Sequence, residues 1–205
     1  MDRKIRQKLK FLGFTMVELI VLLAIVAILS GLVIREVLSY IEKARLRQAI
    51  NQFLSDLNYV KNQAQITGVA WGIRACTGTG KYKIFLDYDG NCRDSRPDCD
   101  NINATKICVN DPSQNCNSDS DCPGNFTGIC RTLEQLKVLE GGFLFVKGNT
   151  TSRSFYVVFD RKGLPFDYSC GIGADNVTIQ SPSGKEASTI FVDRFGRVRV
   201  EYGKK

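Results

Sequence analysis

Residues 13–34 read GFTMVELIVLLAIVAILSGLVI, and the rest of the chain is interpreted outward from this stretch. From Phe14 to Ile34 there are 21 residues with one charge, Glu18. About 20 predominantly apolar residues are what an α-helix needs to span the hydrocarbon core of a bilayer. A secretory signal peptide has a shorter apolar region, followed by its small-residue cleavage site. Here the run is longer and the small residue, Gly13, precedes it. Upstream, Arg3, Lys4, Arg6, Lys8 and Lys10 stand against Asp2 alone. Lys and Arg resist translocation, so this basic leader is expected to stay cytoplasmic, with everything after Ile34 outside the cytoplasm.

The leader also explains most of the net charge. With its five basic residues and one acid set aside, the formal +7 of the chain falls to +3 on the remaining 192 residues. Bulk charge therefore gives no argument for nucleic acid or acidic lipid. The chain has eight cysteines and no histidine. Cys76, Cys92, Cys99, Cys108, Cys116, Cys122 and Cys130 crowd one region and Cys170 stands apart. An even count in a loop-like stretch predicts disulfides and an oxidising compartment, which agrees with the orientation set by the leader. Pairing stays open, since eight cysteines allow on the order of a hundred connectivities. Zinc is the competing explanation, but no Cys-x-x-Cys pair exists and no histidine can complete a mixed site. The lack of histidine also removes Ser-His-Asp and Cys-His nucleophile arrangements. No catalytic residue and no cofactor is assigned, and the chain is expected not to be an enzyme.

Glu18 stands out within the apolar run. A carboxylate there costs about 2.5–3.5 kcal/mol on insertion scales, which makes an intramembrane acid a functional hypothesis. Were the chain cut after Gly13, the new amine of Phe14 would lie one helical turn from Glu18. A neighbouring subunit's amine could then neutralise the carboxylate and set the register between subunits; the plainer alternative is a partnerless carboxylate near the headgroups. Gly13-Phe14-Thr15-Met16-Val17-Glu18-Leu19 resembles the class III leader junction of type IV pilins and type II secretion pseudopilins. The resemblance implies processing by a prepilin peptidase between Gly13 and Phe14, N-methylation of Phe14, and assembly through Phe14 and Glu18. It also implies other pilins or pseudopilins and an inner-membrane assembly platform as partners. The chain would be single-pass in the inner (cytoplasmic) membrane, with its head outside the cytoplasm and able to enter a periplasm-spanning filament. It departs from the family pattern at Arg35, where a proline and its kink are common.

Residues 35–66 contain neither proline nor glycine, and apolar positions recur at Leu46, Ile50, Phe53, Leu57, Val60 and Ala64. That spacing predicts an amphipathic helix ending at Thr67-Gly68. The chain divides into a leader (1–13), a transmembrane half-helix (14–34), a spine half-helix (35–67) and a β-rich head (68–205). Strands are expected over Val69–Ala75, Lys81–Asp87, Phe143–Lys147, Ser154–Asp160 and Val177–Gln180, with a hairpin over Thr189–Tyr202 turning at residues 193–196. The fold class is α+β: a long N-terminal helix packed on an antiparallel sheet, as in pilins. Residues 61–69 (KNQAQITGV), 159–165 (FDRKGLP) and 192–200 (VDRFGRVRV) are similar to the H-type minor pseudopilin and FimT-like group.

Residues 92–130 are dominated by Asn, Asp, Ser, Pro, Gly and Cys. So little apolar content builds no core, which predicts a disulfide-tied surface insertion. Just before it and at its start, Asp87, Asp89, Asn91 and Asp94 are candidate calcium ligands, against the plainer reading of acidic turn residues. In the last strand, period-two alternation puts Arg197, Arg199 and Glu201 on one face. With Arg194 these are possible DNA contacts, and Gly196-Arg197-Val198-Arg199 is similar to a pattern associated with DNA binding in FimT-like minor pilins. The alternative is a solvated strand face that protects a sheet edge. The leading expectation is a minor pseudopilin or pilin, a structural subunit of a type II secretion or type IV pilus system. A DNA-binding minor pilin is the second.

Overall fold

The computed structural model describes residues 15–94, 98–100, 103–122, 129–146, 154–173 and 176–204. The leader, Gly13 and Phe14 lie outside the described residues. Two compact units divide the chain, Met1–Ile41 and Glu42–Lys205.

In the first unit helix α1 (Met16–Thr67) begins, and every described side chain from Thr15 to Ile41 is exposed. The helix is long and apolar enough to cross a membrane. An all-round apolar surface of this extent needs lipid or other apolar helices around it. Ser30, the polar side chain in the middle of the run, donates its Oγ proton to the Val26 carbonyl at 2.7 Å. That bond removes an unpaired hydroxyl from an apolar setting.

The second unit begins with residues 42–67 of α1. Leu46, Ala49, Ile50, Phe53, Leu57, Val60 and Ala64 are buried, and these are the positions three and four apart that the periodicity indicates. Gly68, at φ 72°, ends the helix, its N–H bonded to the Ala64 carbonyl at 3.0 Å. Twelve strands follow: β1 (Ala70–Ala75), β2 (Lys81–Asp87), β3 (Lys106–Cys108), β4 (Asp111–Asn115), β5 (Cys130–Thr132) and β6 (Glu134–Val138) come first. Then come β7 (Leu144–Val146), β8 (Phe155–Phe159), β9 (Pro165–Phe166), β10 (Asn176–Gln180), β11 (Glu186–Val192) and β12 (Val198–Lys204). They form three antiparallel sheets, ordered β6-β2-β1-β8-β9, β12-β11-β10-β7 and β4-β3-β5.

The helical stripe and the inward faces of the first two sheets share one core. Phe53 sits within it, its ring centroid 5.3 Å from Tyr82, 5.1 Å from Phe145 and 6.2 Å from Phe155. Ser188, Ile190 and Val192 on β11 point inward, and Val198 and Val200 on β12 pack against the core, as alternation requires. The first sheet is covered on its other face too. There Phe85 and Val158 pack with Cys92, and the Phe85 ring crosses Gly72 on the neighbouring strand. A Cβ at Gly72 would fall 2.2 Å from the Phe85 ring.

Four disulfides tie the unit together: Cys76–Cys99, Cys92–Cys170, Cys108–Cys122 and Cys116–Cys130. The first two anchor the start of the cysteine-rich insertion to the sheets, and the last two close it on itself. The insertion is more ordered than the sequence indicates, because β3, β4 and β5 lie within or at the end of it. Asp111-Pro112-Ser113-Gln114-Asn115 has almost no strand propensity. The crossed Cys108–Cys122 and Cys116–Cys130 bonds hold this segment in its pairing. Ile107 and Val109 join the main core. Strands β6 and β9 were also not expected; Glu134–Val138 lacks clean alternation and is a strand because β2 presents it an open edge.

Gly72→Ala should destabilise the unit by about 1–3 kcal/mol through overpacking. Denaturant unfolding of the oxidised protein checks this, and adding Phe85→Leu should recover part of the loss.

Candidate functional site

Glu18 closes the N-terminus of α1. Its Oε2 accepts the Thr15 N–H at 3.0 Å and the Thr15 hydroxyl at 3.0 Å, while Thr15 Oγ1 accepts the Glu18 N–H at 3.3 Å. This reciprocal pair is a capping box. The Thr15-x-x-Glu18 spacing of a capping box is legible in the sequence. Geometrically, it turns the carboxylate back toward the chain's N-terminal side, where Phe14 precedes Thr15.

The C-terminal arginines belong to a larger assembly. Asp160-Arg161-Lys162-Gly163 and Asp193-Arg194-Phe195-Gly196 fold as the same turn twice. In each, the aspartate Oδ1 accepts two backbone N–H groups, from Lys162 and Leu164 at 2.9 and 2.8 Å and from Phe195 and Arg197 at 2.9 Å each. Each glycine N–H returns to the aspartate carbonyl at 2.8 Å, with φ of 77° at Gly163 and 72° at Gly196. The turns touch: a Cβ on Gly196 would lie 2.7 Å from the Gly163 carbonyl oxygen. Lys61 fastens them to α1 by donating to the Gly196 carbonyl at 3.1 Å, and Gln65 donates to the Lys162 carbonyl at 3.4 Å. The Arg197 N–H bond holds the Asp193 carboxyl below the usual range.

Arg197 pairs with Asp193 and Arg199 with Glu201, each at 2.8 Å, so these two carry little net charge. Arg194 lies 5.0 Å from the exposed Phe195 ring, and among the described residues no carboxylate pairs with Arg161, Lys162 or Arg194. The cationic surface is therefore centred on the twin turns. Arg161 and Lys162 were missed in the sequence because they are more than 30 residues from Arg194, although the repeated Asp-Arg-x-Gly was readable.

The four calcium candidates do not converge. Asp87 accepts the N–H groups of Asn91 and Cys92 at 3.1 and 3.0 Å, and Asp89 accepts the Asn91 side-chain amide at 2.6 Å. Asp94 instead faces the covered side of the first sheet. Its Oδ2 accepts from Arg74 Nη1 at 2.8 Å and Lys83 Nζ at 3.1 Å, and its Oδ1 accepts from the Tyr156 hydroxyl at 2.8 Å. Among the described residues, one group of three metal-type ligand atoms lies close together, the sulfurs of Cys108, Cys116 and Cys122, and all three are in disulfides.

Asp87 is 4% exposed, and burial followed by the neighbouring Asp89 carboxyl pushes it up to about 6. An acid raised in the folded state holds its proton more tightly there than when unfolded. Its contribution thus favours folding at low pH and is lost as pH rises from about 4 to about 6. Asp87→Asn should flatten that slope, a difference on the order of 2–3 kcal/mol, read by urea unfolding at a series of pH values. An unchanged slope would show that Asp87 is not its source.

Comparison with known proteins gave no matching family model, curated protein or solved structure.

Proposed function

We propose that the chain is a membrane-anchored structural subunit that assembles through its N-terminal helix, in the manner of pilins and pseudopilins. The observation that carries this reading is the apolar stretch of α1 from Met16 to Ile34, exposed at every described side chain, whose one acid is Glu18 beside the helix start. A helix of this kind is insoluble alone, and the bilayer or a bundle of like helices removes it from water. Within such a bundle a carboxylate needs a cationic partner. The amine left by cleavage between Gly13 and Phe14 supplies one, and the capping box already points the carboxylate toward that side. In this reading a prepilin peptidase removes residues 1–13, Phe14 is N-methylated, and the β-rich unit lies outside the cytoplasm. Cleavage and methylation rest on the residue pattern at Gly13–Glu18. The four disulfides support an oxidising location for the β-rich unit.

Intact mass and N-terminal sequencing of membrane-extracted protein should give a chain beginning at methylated Phe14. An uncut chain from cells with an active prepilin peptidase would remove filament assembly and leave an anchored domain. Glu18→Val should permit membrane insertion while lowering recovery in sheared filaments at least tenfold.

The twin turns favour a second reading, contact with DNA phosphates. Three cations with no carboxylate partner among the described residues and an exposed aromatic ring on adjoining turns suit a phosphate backbone with a stacked base. Changing Arg161, Lys162 and Arg194 to Gln should then weaken DNA retention at low salt and flatten its salt dependence. Arg197→Gln and Arg199→Gln should matter less, because each is already paired. No retention by the unmodified protein at low salt would end this reading.

A further inference from the structure

The buried ionic cluster around Lys83 has the chemistry of a covalent bond in waiting. Lys83 on β2 stands opposite Arg74 on β1, and Glu134 on the neighbouring β6 pairs with Phe85, two residues along. The Lys83 side chain is 0% exposed, and those of Asp94 and Glu134 are 2% each. Lys83 Nζ lies 3.1 Å from Asp94 Oδ2 and 3.8 Å from Glu134 Oε2. Asp94 is held in place by its neighbour two residues back, since Cys92 is bonded to Cys170. An amine, a carboxyl group and a second carboxylate are thus fixed together in a dry site, where orientation substitutes for concentration.

We propose that Lys83 and Asp94 form an intramolecular amide, with Glu134 as the proton carrier. Lys83 Nζ passes a proton along its 3.1 Å hydrogen bond to Asp94 Oδ2, which turns the carboxylate into a carboxylic acid, and the neutral amine attacks Cγ. The charge that develops on Oδ1 faces the Tyr156 hydroxyl, 2.8 Å away, while the Arg74 guanidinium, 2.8 Å from Oδ2, polarises the departing oxygen. Glu134 takes the second Nζ proton and delivers it to Oδ2, which leaves as water. The Cγ–Nζ bond forms, the Cγ–Oδ2 bond breaks and one water leaves. Two of the three ammonium protons depart in that water, the third stays on the amide nitrogen, and no oxidant or reductant is required. The reaction removes one buried positive and one buried negative charge. Burial also keeps out the water that would reverse the step. The product joins β2 to the start of the cysteine-rich insertion by a bond that reductants do not cleave. This inference does not depend on filament assembly.

The test is the intact mass of the full-length chain, extracted in detergent, incubated folded, then reduced and alkylated. The expected mass is lower than the sequence demands by one water, about 18 Da, with proteolysis yielding a branched peptide that joins Lys83 to Asp94. Glu134→Gln and Lys83→Arg should restore the full mass, and resistance of their cysteines to alkylation before reduction shows that both variants have folded. A succinimide at Asp89-Gly90 loses the same water, but it would persist in Lys83→Arg and yield to hydroxylamine. Full mass in the folded wild-type chain overturns the proposal, as does a water loss that survives Lys83→Arg. Because the branched peptide is sought in the wild-type chain, a variant that fails to fold leaves the test decisive.

Discussion

One helix has to satisfy two different surroundings, and the rest of the structure follows from that constraint. Up to Ile34 α1 is apolar but for Glu18 and Ser30, and its described side chains are exposed all round; from Leu46 only a stripe is apolar, and that stripe is buried. The exposed part requires an apolar medium that the chain itself does not provide. The striped part requires a partner surface, which the two larger sheets supply around Phe53. Because helical geometry repeats every 3.6 residues, no position between Leu46 and Ala64 can move off the stripe without exposing core or burying charge.

The cysteine-rich insertion solves the opposite problem, holding structure with almost no apolar residues. Two disulfides anchor its start and two close it on itself, so chain entropy is limited covalently where the hydrophobic effect is weak. Its first residues also bring a carboxylate, Asp94, onto the outer face of the first sheet, where it meets two cations and a tyrosine hydroxyl. A buried ion cluster of this kind contributes little net stability over apolar packing, but removing one partner from it is expensive. That asymmetry locks the insertion to this face, whether or not the amide forms.

Charge at the surface is organised by backbone geometry more than by sequence neighbours. Asp160 and Asp193 are used up as turn formers, each accepting two N–H groups, and so the arginines beside them are presented outward. Close contact between Gly163 and Gly196 then brings two such turns together. The sequence pattern near the C-terminus reached the paired Arg197 and Arg199 and also Arg194, but missed Arg161 and Lys162 on the other turn.

By itself the sequence determined the long helix, its apolar and striped halves, the hairpin near the C-terminus, the strands after Gly68 and the reliance on disulfides. Each of these rests on local periodicity, turn chemistry or composition, which act over a few residues. The Thr15–Glu18 box was equally local and equally readable. Only the tertiary structure decided which cysteines pair, that Asp111–Asn115 is a strand, that Asp94 leaves its acidic neighbours for Arg74 and Lys83, and that two distant Asp-Arg-x-Gly turns touch. Those outcomes depend on contacts between residues far apart in the chain, whose energies no local pattern encodes.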